Sequence, residues 1–99
     1  MPSAPQKVAL VTGAARGIGL ATARKFLAEG WRVGLLDIEG ELLARAIAEI
    51  GCPDATLTLH CDVSDAGAVG SAVKTVGQRF GRLDALVNNA GIAVFAPLM

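Results

Sequence analysis

The sequence predicts an α/β fold, a doubly wound parallel sheet, from three observations. Apolar strand-like runs alternate with helical patterns along the chain. The connections between them are short. A glycine-rich turn joins the first strand to the first helix. The expected order is β-α-β-α-β-α-β, with right-handed crossovers.

Each element follows from local pattern. Lys7 to Thr12 is a continuous apolar run, as in a strand buried on both faces of a parallel sheet. Ile18 to Glu29 has helical spacing, with Leu20, Ala23 and Leu27 on one face and Gly30 as a stop. Trp31 to Leu36 is a second strand, ending at Asp37. Glu39 to Ile50 is a helix with Leu42, Leu43, Ala46, Ile47 and Ile50 on one stripe, and Gly51 and Pro53 end it. Thr56 to Cys61 alternates polar and apolar residues, which suits a half-exposed edge strand. Ser64 or Asp65 can cap the third helix, on which Val69, Val73, Val76 and Phe80 share a spacing. Gly81 closes that helix. Leu83 to Val87 is the fourth strand, with Asp84 its one polar interruption, and it runs into Asn88-Asn89-Ala90-Gly91.

Bulk properties exclude several classes. The chain has 99 residues, of which 53% are hydrophobic, so it is not a disordered segment. Nine basic residues balance nine acidic ones without a basic patch, which argues against a nucleic-acid partner. Two cysteines outside a C-x-x-C pattern and a single histidine are too few for a metal site. They fit thiols in a reducing compartment. Met1 to Gln6 is too short for a secretory signal, and no apolar run has the ~18 residues of a membrane span. The expectation is a cytoplasmic protein that forms one small domain or a piece of a larger one.

The candidate site begins at Thr12-Gly13-Ala14-Ala15-Arg16-Gly17-Ile18-Gly19. Glycines permit a tight turn and close approach of a ligand to the backbone. A helix start offers unpaired N–H groups and partial positive charge to an anion. The spacing G-x-x-x-G-x-G differs from G-x-G-x-x-G, and no Gly-Lys-Ser/Thr follows to make a P-loop. A tight turn with no ligand is the alternative reading.

Asp37 ends the second strand, 18 residues past Gly19, where a carboxylate can accept bonds from both hydroxyls of an adenosine ribose. Its charge repels a 2′-phosphate, which favours NAD over NADP. Its alternative role is a cap for the following helix. Asp62 and Val63 end the third strand, within reach of an adenine ring, or they form an ordinary turn. Asn88 to Gly91 ends the fourth, where amides can brace strands and small residues admit a ligand.

Together these segments resemble the N-terminal half of the short-chain dehydrogenase/reductase family, over residues 6–99. The resemblance implies a Rossmann-type sheet with its strands in the order 3-2-1-4-5-6-7, of which this chain carries the N-terminal portion. It implies that the backbone of Gly13, Ala14, Ala15, Arg16, Gly17 and Ile18 holds a pyrophosphate and the adjacent ribose, with Arg16 flanking the phosphates. Asp37 then takes the adenosine ribose, with Ile38 beside the adenine, and Asp62 and Val63 contact that ring. Asn89, Ala90 and Gly91 line the path to the nicotinamide ribose, and Asn88 ties the central strands together.

The same resemblance implies a hydride-transferring oxidoreductase acting on an alcohol or carbonyl compound, usually as a dimer or tetramer. Its catalytic serine, tyrosine and lysine are not found here: the chain has no tyrosine, and Ser71 and Lys74 fall on a helix in no catalytic pattern. The chain is therefore expected to be the cofactor half of a longer enzyme and inactive alone. Its fourth strand is expected to present an apolar edge, leaving the isolated chain poorly stable or prone to associate. A non-catalytic dinucleotide sensor and an S-adenosylmethionine-dependent methyltransferase are the other readings.

Overall fold

The computed structural model describes residues 6–89. Four parallel strands form one sheet: β1 (Val8–Thr12), β2 (Arg32–Asp37), β3 (Thr56–His60) and β4 (Ala85–Asn88), in the order β3-β2-β1-β4. Helices α1 (Gly17–Ala28), α2 (Gly40–Ile50) and α3 (Ala66–Phe80) connect them. The alternating pattern of the sequence is thus realised element by element, with ends shifted by one or two residues. Among the described residues, no helix is long and apolar enough to cross a membrane.

The period-two geometry of a strand sends alternate residues of β1 to opposite faces. Val11, Val33, Leu35 and Val87 form one core with Ala23 of α1 and Leu43 of α2. Val8, Leu10 and Leu36 form the other with Ala72, Val76 and Phe80 of α3. All five residues of β1 are buried, because helices cover both sides of it. Strand β3 lies at the edge, with Leu57 and Leu59 turned toward the α3 core and Thr58 and His60 exposed. Asp65 caps α3, its carboxylate accepting from the Ala68 N–H at 3.2 Å.

The fourth strand begins at Ala85 rather than Leu83. Asp84 is the reason. Its backbone N–H donates to the Val8 carbonyl at 2.8 Å, and its carboxylate accepts from the Val8 N–H at 2.8 Å. A side chain here takes over the first rung of the β1–β4 ladder. Arg82 clamps the same carboxylate at 2.6 and 2.8 Å. The Arg82 hydrogen bond, and then the Val8 N–H, hold Asp84 below the ordinary carboxyl value of 3.8, against the opposing effect of burial.

A depressed carboxyl stabilises the fold fully above its unfolded value, and that contribution is lost as the pH falls through the folded value. Asp84→Ala leaves the buried Val8 N–H without its acceptor, at a cost of about 1–3 kcal/mol at neutral pH. In thermal melts across pH, the gap between wild type and Asp84→Ala should narrow below pH 3.8. A gap independent of pH would contradict the assignment.

Candidate functional site

The carboxyl ends of all four strands lie along one edge of the sheet, at Thr12, Asp37, His60 and Asn88. The chain runs outward from β1 to β2 and β3, then crosses back to place β4 on the other side of β1. Such a reversal of strand order opens a crevice beside the first strand, and ligands of open α/β sheets bind there. The glycine turn leaves β1 at this point.

The turn is fixed to the neighbouring strand. The Ala14 N–H donates to the Leu36 carbonyl at 3.1 Å. The Ala15 N–H donates to the Asp37 carboxylate at 2.9 Å. Gly13 and Gly17 adopt φ of 62° and 59°, the left-handed region that side chains rarely tolerate. Gly19 is required for a different reason. A Cβ there would overlap the Gly13 carbonyl oxygen and lie 2.7 Å from its carbon. Helix α1 therefore starts directly against the turn.

That helix start has no internal cap. Arg16 stands at the cap position without a side-chain cap bond, and no acidic residue occupies the first turn. The first helical bond runs from the Leu20 N–H to the Arg16 carbonyl. The N–H groups of Gly17, Ile18 and Gly19 precede it and have no intrahelical acceptor. They and the helix dipole make a seat for an anion. By contrast, the amides of Ala14 and Ala15 are engaged by β2.

A cleft of about 460 Å³ opens at this helix start, lined by Gly13, Arg16, Gly17, Ile18, Gly19, Asp37, Ile38, Glu39 and Asn89. Its volume lies within the roughly 300–1,000 Å³ of small-molecule sites. Asp37 forms part of its wall and is largely buried. One of its oxygens holds the Ala15 N–H and the other the Glu39 N–H at 3.0 Å. A carboxylate offers about four acceptor sites. These two backbone bonds thus leave capacity for two hydroxyl donors, whereas the expected cap role is not realised, because Glu39 itself holds the cap position of α2 and no side chain caps that helix. Ile18 and Ile38, the two exposed large apolar side chains of the described residues, both line the cleft.

The remaining predicted residues divide into three groups. Thr12, Ala14 and Ala15 are buried behind the cleft wall. The Thr12 hydroxyl donates to Asn88 Oδ1 at 2.8 Å and accepts from the Asn89 N–H at 3.0 Å, so it fixes the end of β4 to β1. Asp62 and Val63 follow β3 but are not among the lining residues. One Asp62 oxygen accepts from both the backbone N–H and the hydroxyl of Ser64, and these bonds hold its carboxyl below the ordinary range. Ala90 and Gly91 lie outside the described residues.

Two contributors were not anticipated. Glu39 lines the cleft and pairs with Arg16 at 3.2 Å, whereas Arg16 was expected to flank phosphates. His60 Nε2 lies 2.8 Å from the Ile38 carbonyl and steadies the turn that carries Asp37 and Ile38. The acidic residue two places beyond Asp37 was visible in the sequence as a charge, but without a partner.

Comparison with known proteins agrees with this fold. The short chain dehydrogenase family model matches residues 7–99, and the chain belongs to that family. Momilactone A synthase of Oryza sativa subsp. japonica is 51% identical over 87 residues, covering 88% of this chain and 31% of its own length. Galactitol 2-dehydrogenase of Agrobacterium fabrum is 46% identical over 92 residues, covering 93% and 35%. The crystal structure of 3-ketoacyl-(acyl-carrier-protein) reductase from Brucella melitensis, complexed with NADH, superposes with a TM-score of 0.79 at 42% identity, over 87% of this chain and 35% of that one. The chain thus spans about a third of the length of these relatives. Family membership sets aside the methyltransferase reading.

Proposed function

We propose that this chain is the NAD-binding part of a longer, single-domain oxidoreductase that interconverts an alcohol and a carbonyl compound. The observation that carries the reading is the uncapped start of α1 facing Asp37 across one cleft. The N–H groups of Gly17, Ile18 and Gly19 would hold phosphate oxygens, Asp37 would accept from the ribose hydroxyls, and Ile38 would border the adenine. NAD, when bound, supplies hydride transfer at its nicotinamide. This chain's residues bind and orient it, and Asn89 borders the path toward that end.

The NADH complex of the Brucella reductase supports a nicotinamide cofactor for this site. The Asp37 charge supports NAD over NADP, since a 2′-phosphate beside it would meet like charge. The chain spans about a third of its relatives' length and holds no tyrosine, which supports a proton-transfer group contributed by another segment of the enzyme. Family membership further supports a homo-oligomer, and the free cysteines Cys52 and Cys61 support a reducing, cytoplasmic setting.

Isothermal titration of the complete gene product with NADH and NADPH tests the proposal. NADH should bind at least about tenfold more tightly, the equivalent of one charged hydrogen bond at ~1.5 kcal/mol. Tighter binding of NADPH would overturn the Asp37 argument, and binding of neither would overturn the cleft assignment.

A further inference from the structure

We propose that Glu39 is a second specificity-determining residue of the cleft, acting by occupying the Arg16 guanidinium. The proposal rests on the assignment of the cleft to a dinucleotide. Among the described residues Arg16 is the only cation lining the cleft, and it stands at the cap position of α1. A guanidinium there is the group a 2′-phosphate would seek, since its planar fork matches phosphate oxygens. Glu39 holds it at 3.2 Å.

The Glu39 main chain is fixed beside Asp37, whose carboxylate accepts from its N–H at 3.0 Å, so the two acidic residues stand together in the cleft wall. Glu39 sits at the cap position of α2 without making a side-chain cap bond, so its carboxylate faces no competing use within that helix. The wall therefore carries two carboxylates against one guanidinium, and that guanidinium is paired. A ribose with a free 2′-hydroxyl leaves this arrangement intact. A 2′-phosphate must break the pair to gain its counter-ion and still face Glu39.

The test uses ADP and 2′,5′-ADP, which differ in where the second phosphate sits and isolate the adenosine half of the site. Both are titrated calorimetrically into the complete gene product as wild type, Glu39→Gln, Arg16→Gln and the double variant. Glu39→Gln should improve the affinity for 2′,5′-ADP relative to ADP by about fivefold, the upper range of one exposed ion pair. The double variant should abolish that gain, because the released guanidinium supplies it. An unchanged ratio in Glu39→Gln overturns the proposal, as does a gain that persists without Arg16. In either case retained ADP binding leaves the cleft assignment standing. Failure of the wild type to bind ADP overturns that assignment and this proposal together.

Discussion

Gly19→Ala should abolish cofactor binding and destabilise the fold by about 3 kcal/mol or more, at the upper end of overpacking costs. The added methyl meets backbone, not a side chain that can rotate away. It overlaps the Gly13 carbonyl and lies 3.2 Å from the Ala14 Cα. Relief requires either α1 to back away from β1 or the turn to open. Both movements displace the three N–H groups that form the anion seat. Denaturant unfolding and NADH titration of the same variant read the two consequences. Gly70→Ala on α3 is the control, since nothing lies within 4 Å of a Cβ there. It should stabilise by up to about 1 kcal/mol, as alanine does in an exposed helix interior. A Gly19→Ala protein with wild-type stability would show that the approach of helix to turn is not fixed by that residue.

Asp37→Ala should narrow the preference for NADH over NADPH by about tenfold and weaken the binding of both. The sequence alone suggests only the first effect, because it shows a charge suited to a ribose. The structure adds the second. With the carboxylate gone, the Ala15 N–H loses its acceptor in a buried position, and the Glu39 N–H loses its own. The buried amide alone costs about 1–3 kcal/mol. The turn after β1 then loses one of its two attachments to β2. Asp37→Asn separates the contributions, because its amide oxygen can serve one N–H while its NH₂ group confronts the other. Thermal melts and paired titrations of both variants check this. An Asp37→Ala protein with unchanged melting and an unchanged cofactor ratio would refute both roles.

Much of this arrangement is legible in the sequence. The apolar runs mark all four strands of the described residues and the glycine stops mark the helix ends, because both depend on local chemistry. Gly51 and Gly81 adopt left-handed φ of 68° and 82° at the ends of α2 and α3, as their positions require. The edge position of β3 followed from its alternation. The start of β4 was misplaced because Leu83 is apolar, while Asp84 pairs with Val8, 76 residues away. Side-chain partners were the illegible part generally. The pairing of Arg16 with Glu39 depends on where α2 begins. The bonds from Ser64 to one Asp62 oxygen depend on the path of the loop after β3. A linear pattern fixes which groups sit at a sheet edge, and the loop paths between them decide which of those groups meet.

The attachment of the glycine turn to β2 bears on the thermodynamics of association. A loop that orders only on meeting its ligand spends part of the interaction energy on its own lost freedom. Here the Ala14 and Ala15 amides are already engaged by Leu36 and Asp37. The proposed anion seat is therefore preorganised, and an anion docking there meets a rigid template, so that little of the interaction is consumed by ordering the protein.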